Sequence, residues 1–129
     1  MRIRNRARVF SGVLAAVAVG ASACGDDLGP IACTDVFVYG LSVDVFDAAT
    51  NEPKADSATL TITEGGYTEI TEESFDGLTM VAAGERAGTY AVVVSRPGYQ
   101  NWVTTNVTIT EDECHVIPVR LLAALQAVP

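Results

Sequence analysis

Alternation of apolar and polar positions runs through most of the chain after residue 34 and predicts β-strands. The clearest example is the stretch 88–102, in which Tyr90, Val92 and Val94 share one face of a strand. Pro97-Gly98 follows, and it fits the centre of a type II turn because proline presets a negative φ and glycine tolerates a positive one. The stretch therefore predicts a β-hairpin: a strand, a reversal and a second strand.

The same alternation predicts six further strands at intervals of about ten residues. Gly65-Gly66 marks a tight turn between the second and third strands. The last predicted strand points Ile117 and Leu121 inward, and the strand before it places Val103 on the same face as Val107. The predicted strands are 35–46, 58–63, 67–74, 78–82, 89–95, 99–110 and 114–122. With no clear amphipathic helix among them, they predict an all-β fold, a seven-stranded antiparallel β-sandwich.

Residues 1–23 have the composition of an export signal helix. Four arginines between positions 2 and 8 precede an uncharged, largely apolar run at 9–19, and small residues follow at 20–23. The apolar run spans 11 residues, whereas a helix that crosses a bilayer needs about 20. We therefore expect this segment to direct export and to be removed, without leaving a transmembrane anchor.

Cys24 follows the signal directly and is the predicted site of lipid attachment. The segment Ala21-Ser22-Ala23-Cys24 resembles a bacterial lipobox, with Ala21 where such motifs usually carry Leu, and it also fits ordinary signal peptidase, which would release a secreted protein. Acylation of Cys24, for example by palmitate, leaves Cys33 and Cys114 as an even pair. Residues 24–33 then form a short tether that anchors residues 34–125 to a membrane of the bacterial envelope outside the cytoplasm.

The exported part of the chain is strongly acidic. The sequence has eight basic and sixteen acidic residues, and four of the basic ones lie in the signal, so residues 24–129 carry four against sixteen, a net charge of −12. Such a surface repels nucleic acid and anionic lipid, so we expect no nucleic-acid partner and membrane attachment through the lipid alone. Solubility explains this acidity simply, and cation binding is the alternative.

Several turns and strand ends resemble those of the carboxypeptidase regulatory-like domain, a small Greek-key sandwich similar to transthyretin (prealbumin). The matching segments are 43–53, 88–90, 97–99 and 119–121. Asn51 stands where the family usually has a turn glycine, a change that the left-handed tendency of Asn tolerates, and the acidic hairpin at 65–77 is a second departure. The resemblance implies a non-catalytic module, which in this family acts as a folding aid, spacer or binding element beside peptidases, outer-membrane transporters and cell-surface proteins.

Cys33 and Cys114 lie just before the first predicted strand and at the start of the last. Because these ends can lie side by side in a sandwich, we expect a disulfide that closes a loop of about 80 residues. A reactive thiol or a metal ligand is the alternative, but one Cys pair and one His fall short of a four-ligand zinc site.

His115 is the only histidine, so any Ser-His-Asp or Cys-His arrangement must include it. The chain contains no nucleophile-elbow, zinc-protease or phosphate-loop motif. We expect His115 to be a hydrogen-bonded structural residue near the end of the sheet, and we expect no enzyme.

Two further groups of side chains are candidates for binding. Four carboxylates fall near one turn but lack the regular spacing of a calcium loop: Asp44, Asp47, Glu52 and Asp56. Three aromatic rings are candidates for a platform that holds a glycan or peptide, although such rings more often pack at the rim of a core: Tyr67, Tyr99 and Trp102.

The prediction from sequence is therefore a non-catalytic envelope lipoprotein without metal or cofactor, whose sandwich has a structural or protein-interaction role. Its expected contacts are a membrane, through the lipid, and an envelope protein or glycan. The alternative is a carbohydrate- or peptide-binding module that uses the three rings. The sequence leaves the ligand and the oligomeric state open.

Overall fold

The computed structural model describes residues 29–129, in which Ile31–Pro129 form one compact unit. Seven strands occupy this part: β1 (Tyr39–Asp47), β2 (Thr59–Glu64), β3 (Tyr67–Thr71), β4 (Thr79–Gly84), β5 (Gly88–Ser95), β6 (Trp102–Ile109) and β7 (Val119–Leu125). None of the described residues belongs to a helix able to cross a bilayer. The predicted signal at 1–23, the lipid site Cys24 and the first part of the tether lie outside the described residues.

The strands form two sheets, one in the order β4-β1-β7 and the other in the order β3-β2-β5-β6. The inward side chains of both sheets join in one hydrophobic core. The three-stranded sheet contributes Leu41, Val43, Val45, Met80, Ala82, Ala123 and Leu125, and the four-stranded sheet contributes Leu60, Ile62, Tyr90, Val92, Val94, Val107 and Ile109. The all-β, seven-stranded prediction is therefore confirmed.

One pairing corrects the prediction of a purely antiparallel fold. β1 and β7 run parallel, with Leu41 opposite Val119 and Asp47 opposite Leu125, while every other strand pair is antiparallel. The physical reason is visible in the cross-link. Cys33 precedes β1 and Cys114 precedes β7, and the two are joined by a disulfide, so both strands start from the same end and run in the same direction.

The two predicted tight turns are present. Tyr99 N–H donates to Arg96 O at 3.1 Å across Pro97-Gly98, and Gly98 has φ of 83°, as the third position of a type II turn requires. Glu64 pairs with Tyr67, so Gly65-Gly66 forms a two-residue hairpin loop. In addition, Asn51 adopts the left-handed conformation expected of it, with φ of 61°.

β6 shows where simple alternation fails. Tyr90 pairs with Val107 but Val92 pairs with Thr104, so the single residue of β5 between these two pairs lies opposite two residues of β6. This is a β-bulge, and Asn106 within it has φ of 58°. Because the extra residue reverses the alternation, Trp102 packs against the core while Val103 is exposed, which corrects the prediction that Val103 and Val107 share a face.

The last strand begins later than predicted. It starts at Val119 rather than at residue 114, and its fully buried side chains are Ala123 and Leu125, whereas Ile117 is exposed. Residues 110–118 instead form the connection that carries the chain from one sheet to the other, with only Val116 buried. The hydrophobicity of 121–125 therefore belongs to the strand itself, not to a terminal helical turn.

Candidate functional site

A cleft of about 550 Å³ lies beside the disulfide, between the segment that precedes β1 and the connection that precedes β7. Cys33 and Cys114 join these two segments with their Cα atoms 5.2 Å apart, so the structure contains the disulfide that the sequence predicts. Glu85, from the turn after β4, completes the wall of the cleft, where it faces His115. Since one covalent and several polar contacts converge at this cleft, it is the candidate functional site.

The conformation of the β6–β7 connection is set by Asp112. Its Oδ1 accepts hydrogen bonds from Cys114 N–H at 2.8 Å and His115 N–H at 2.9 Å, which is a local Asx-type turn. The bonds from His115 and then Cys114 hold the pKa of Asp112 below its usual value. The side chain of Asp112 therefore orients both the disulfide and the histidine beside it.

His115 is hydrogen-bonded through both ring nitrogens, as expected of a structural histidine. Nδ1 lies 2.8 Å from Glu85 Oε1, and Nε2 lies 3.2 Å from Thr34 Oγ1. Glu85 Oε1 also accepts the Val38 N–H at 2.8 Å, and Glu85 N–H donates to Val38 O at 2.9 Å. The same few groups thus fasten the segment before β1 to the β4–β5 turn and to the β6–β7 connection.

Glu85 holds this position with a left-handed backbone, at φ of 46°. Partial burial acts to raise the pKa of Glu85, but the hydrogen bonds from Val38 and His115 together outweigh burial, so the pKa lies below its usual value. Beside it, the Phe37 ring lies against Gly84 so closely that a Cβ atom there would be 2.2 Å from Phe37 Cζ. The glycine at position 84 therefore leaves room for the Phe37 ring to lie against β4.

This arrangement holds three segments of the chain together. The two cysteines are joined in the disulfide, and the two ring nitrogens of His115 contact Glu85 and Thr34. A carboxylate at one ring nitrogen and a hydroxyl at the other is also the order of groups in a Ser-His-Asp triad, with Thr34 in the position of the nucleophile. We refer to the cleft and these contacts as the fastening point.

Tyr67, the first of the predicted platform rings, lies at the start of β3 and is covered by an arginine. The Arg86 guanidinium carbon is 3.8 Å from the centroid of the Tyr67 ring, and Arg86 Nη1 donates to Tyr90 Oη at 2.6 Å and to Glu64 Oε1 at 3.0 Å. The Tyr67 hydroxyl donates to Glu69 Oε2 at 2.9 Å, and this bond, together with partial burial, raises the pKa of Tyr67. One ring face is thus already occupied by a cation–π contact.

Tyr99, the second ring, braces two turns against each other. Its hydroxyl donates to Asp47 Oδ2 at 2.8 Å, and this bond, followed by those from Ala49 and Thr50 N–H, lowers the pKa of Asp47. The Arg96 guanidinium carbon lies 5.3 Å from the centroid of the Tyr99 ring. The contacts tie the turn after β5 to the turn after β1, which is a structural role.

The three candidate rings do not form one surface. Tyr67 is on β3 and Trp102 is on β6, and these are the two edge strands of the four-stranded sheet, separated by β2 and β5. Three strand spacings of about 4.8 Å put roughly 14 Å between those edges. All three rings are partly buried and pack against the core, Tyr99 and Trp102 from the other end of that sheet.

The four candidate calcium ligands are likewise committed to different partners. Asp47 caps its own turn, Glu52 pairs with Lys54 at 3.1 Å, and Asp56 Oδ1 accepts from Ser74 Oγ at 2.8 Å. Across residues 29–129, no three His, Cys, Asp or Glu side chains are grouped so that they could hold a metal ion.

Asp44, the fourth of these carboxylates, has a role that the sequence did not reveal. It is only 5% exposed, and it accepts hydrogen bonds from Thr79 Oγ1 at 3.0 Å and from the Arg120 guanidinium, whose Nε lies 2.9 Å away. Asp44 and Arg120 stand on parallel neighbours, β1 and β7. Asp44 and Arg120 are 76 residues apart in the sequence, and only the unpredicted parallel pairing brings them together.

Comparison of the chain with models of protein families found no match, and comparison with curated proteins found none either. The resemblance to the carboxypeptidase regulatory-like domain therefore rests on the residues quoted above and enters below as part of a proposal.

Proposed function

We propose that the protein is a non-catalytic lipoprotein of the bacterial envelope whose β-domain has a structural or protein-interaction role. In this proposal Cys24 carries the acyl chain, and residues 24–33 form the tether. The observation that carries the proposal is the fastening point: the disulfide at Cys33, nine residues after Cys24, holds the end of the tether to the body of the domain. A disulfide of this kind persists in an oxidising compartment, in agreement with export.

The proposed fold family is the carboxypeptidase regulatory-like domain with transthyretin-like Greek-key topology. Seven strands in two sheets support this assignment, as do the type II turn at Pro97-Gly98 and the turn that contains Asn51 with positive φ. A fold of this class carries many roles, so the functional part of the proposal depends on the site and not on the family.

The non-catalytic part of the proposal is supported by the sequence, which contains no nucleophile-elbow, zinc-protease or phosphate-loop motif, and it is tested at His115. The only histidine of the chain lies between Glu85 and Thr34, and its neighbour Cys114 is oxidised. Substrate turnover that is lost in His115→Gln, with the fold intact by circular dichroism, would refute it.

The alternative, a carbohydrate- or peptide-binding module, is less well supported by the geometry. Its three rings are divided between two ends of one sheet, and Tyr67 and Tyr99 both carry an arginine near the ring. Two measurements separate the two functions. Cell-wall glycans and peptides are titrated into the wild-type protein while Trp102 fluorescence is followed, and binding of the same ligands to Trp102→Ala is measured by a method that needs no tryptophan. A saturable fluorescence shift in the wild type, together with loss of binding in the variant, would favour the alternative.

Metabolic labelling with palmitate tests the lipid anchor. We expect label in the wild-type protein and in Cys33→Ala, a matched control that removes a different cysteine, and none in Cys24→Ala. We also expect globomycin to cause accumulation of the precursor. Unlabelled wild-type protein that is cut at the same place with and without globomycin would instead indicate free secretion.

A further inference from the structure

The outer face of the four-stranded sheet carries no charged residue. Because inward and outward positions alternate along each strand, the residues between the core positions point to solvent. These outward residues are Thr59, Thr61, Thr63, Thr68, Ile70, Thr89, Ala91, Val93, Ser95, Val103, Thr105 and Thr108. We refer to these twelve positions as the threonine face.

The absence of charge on the threonine face contrasts with the rest of the exported chain. Protein surfaces carry roughly 25–35% charged residues, so about two would be expected among the six of these positions that are exposed, the other six being half-buried. Residues 24–129 have a net charge of −12, yet all their charges lie elsewhere. Solubility alone does not require a charge-free sheet face, so the composition of this face points to contact with another surface.

The threonine face also has an apolar bar across its middle. Thr61 pairs with Ile70 on one side and with Val93 on the other, and Val93 pairs with Val103, so these four residues form one row across all four strands. Ile70 and Val103, at the two ends of the row, are 62% and 58% exposed. A row that ends on both sides in an exposed aliphatic side chain is a typical centre for a protein contact.

The side chains of the threonine face are rigid. Ten of the twelve are β-branched: seven Thr, two Val and one Ile. β-Branched side chains have few χ1 rotamers, so they lose little conformational entropy when a partner covers them. In addition, Thr89 and Thr108 hydroxyls lie 3.2 Å apart across β5 and β6 and hold each other in place.

We propose that the threonine face packs against the same face of a second copy of the chain, as a face-to-face homodimer. Four strands at about 4.8 Å and six residue steps at about 3.4 Å give a face of roughly 19 by 20 Å. Allowing for the pleat and side chains, two such faces would bury on the order of 1,000 Å², the lower end of what a specific interface needs. Packing of two sheets about 10 Å apart is also the usual way in which β-branched faces are covered.

Charge restricts where a second copy could bind, because two molecules that each carry −12 repel each other. The twelve positions of the threonine face include no carboxylate, so two such faces can meet with less repulsion than acidic surfaces can. A glycan fits less well, because the face has no aromatic ring on which a sugar could stack. The homodimer goes beyond the function proposed above and does not depend on the lipid anchor.

Photocrosslinking in intact cells tests the location of the contact. The photoreactive amino acid p-benzoylphenylalanine would replace Val103 on the threonine face or Leu122 on the opposite sheet in the full-length protein. The two positions are matched, since both are aliphatic strand residues and Leu122 is 62% exposed. We expect a crosslinked homodimer from position 103 and none from position 122. Crosslinking of position 103 to a different protein, or equal homodimer from both positions, would overturn the proposal.

Sedimentation velocity of the full-length, detergent-solubilised protein measures the association itself. We expect the dimer to dissociate on dilution, and Val103→Asp and Ile70→Asp to weaken it on the order of 100-fold, because each places two uncompensated charges in the contact. Leu122→Asp should leave the dissociation constant unchanged. Circular dichroism confirms that each variant is folded. A monomeric wild-type protein, or a dimer unaffected by both threonine-face variants, would refute the homodimer while leaving the labelling result for Cys24 untouched.

Discussion

Loss of the Cys33–Cys114 disulfide should strongly destabilise the domain, and the size of this effect can be calculated from the length of chain that the bond closes into a loop. The bond joins residues 81 positions apart. In the chain-entropy treatment, opening a loop of that length costs about 4.5 kcal/mol at 25 °C, and measured losses for native disulfides of small secreted domains are about 2–5 kcal/mol. The perturbation is the double variant Cys33→Ser/Cys114→Ser, compared with the disulfide-bonded parent, with Cys24→Ala in both so that no third thiol remains.

Urea unfolding followed by Trp102 fluorescence measures the free energy of unfolding of both proteins. We expect the double variant to lose about 3–4.5 kcal/mol and to lower the melting temperature by roughly 15 °C or more. A loss below about 1 kcal/mol would show that restriction of the unfolded chain by the bond contributes little to stability.

Two further predictions concern electrostatics. The free energy of unfolding should fall as the pH drops below about 5. Five carboxyls have pKa values in the folded protein below the 3.8 or 4.5 of the unfolded chain, so the unfolded chain binds protons first as the pH drops. Unchanged stability down to about pH 3 would contradict this. The five are Asp47, Glu64, Asp76, Glu85 and Asp112. Arg120→Ala should lower the free energy of unfolding, measured in urea, by about 2 kcal/mol, because it leaves the buried Asp44 with one partner fewer. The loss is no larger because the arginine side chain is 67% exposed and its charge is partly screened by water. Lys54→Ala, which breaks the surface pair with Glu52, is the matched control and should cost less than about 1 kcal/mol, so equal losses would argue against a special role for Asp44.

Alternation and turn chemistry were sufficient to predict most of the fold. Tyr90, Val92 and Val94 are buried as their parity indicates, and Pro97-Gly98 turns the chain because only that combination of fixed and positive φ fits there. Alternation failed where an extra residue entered a strand: the bulge at Asn106 reverses the faces of β6, and the one local signal for it is the left-handed tendency of that Asn, which alternation does not use.

The parts of the candidate site that sequence could predict were the ones with few alternatives. If Cys24 carries the proposed lipid, the two remaining cysteines can pair in only one way, and a single histidine next to one of them had to lie at the cross-linked end. Glu85 could not be predicted, because its role depends on a left-handed turn that brings it to His115 across 30 residues of chain. Arg120 was missed for a related reason, since its partner Asp44 is a neighbour only through the parallel pairing of β1 and β7.

The cross-linked, parallel pair of β1 and β7 also determines how the domain would bear a mechanical load. Tension applied to the chain ahead of Cys33 reaches the disulfide before it reaches β1, and from there it divides between β1 and the two directions of chain from Cys114, toward β6 and toward β7. Because β1 and β7 would be loaded from the same end and in the same direction, the pull does not draw these two neighbours apart. A body built in this way would share a load between both sheets before any one strand gave way.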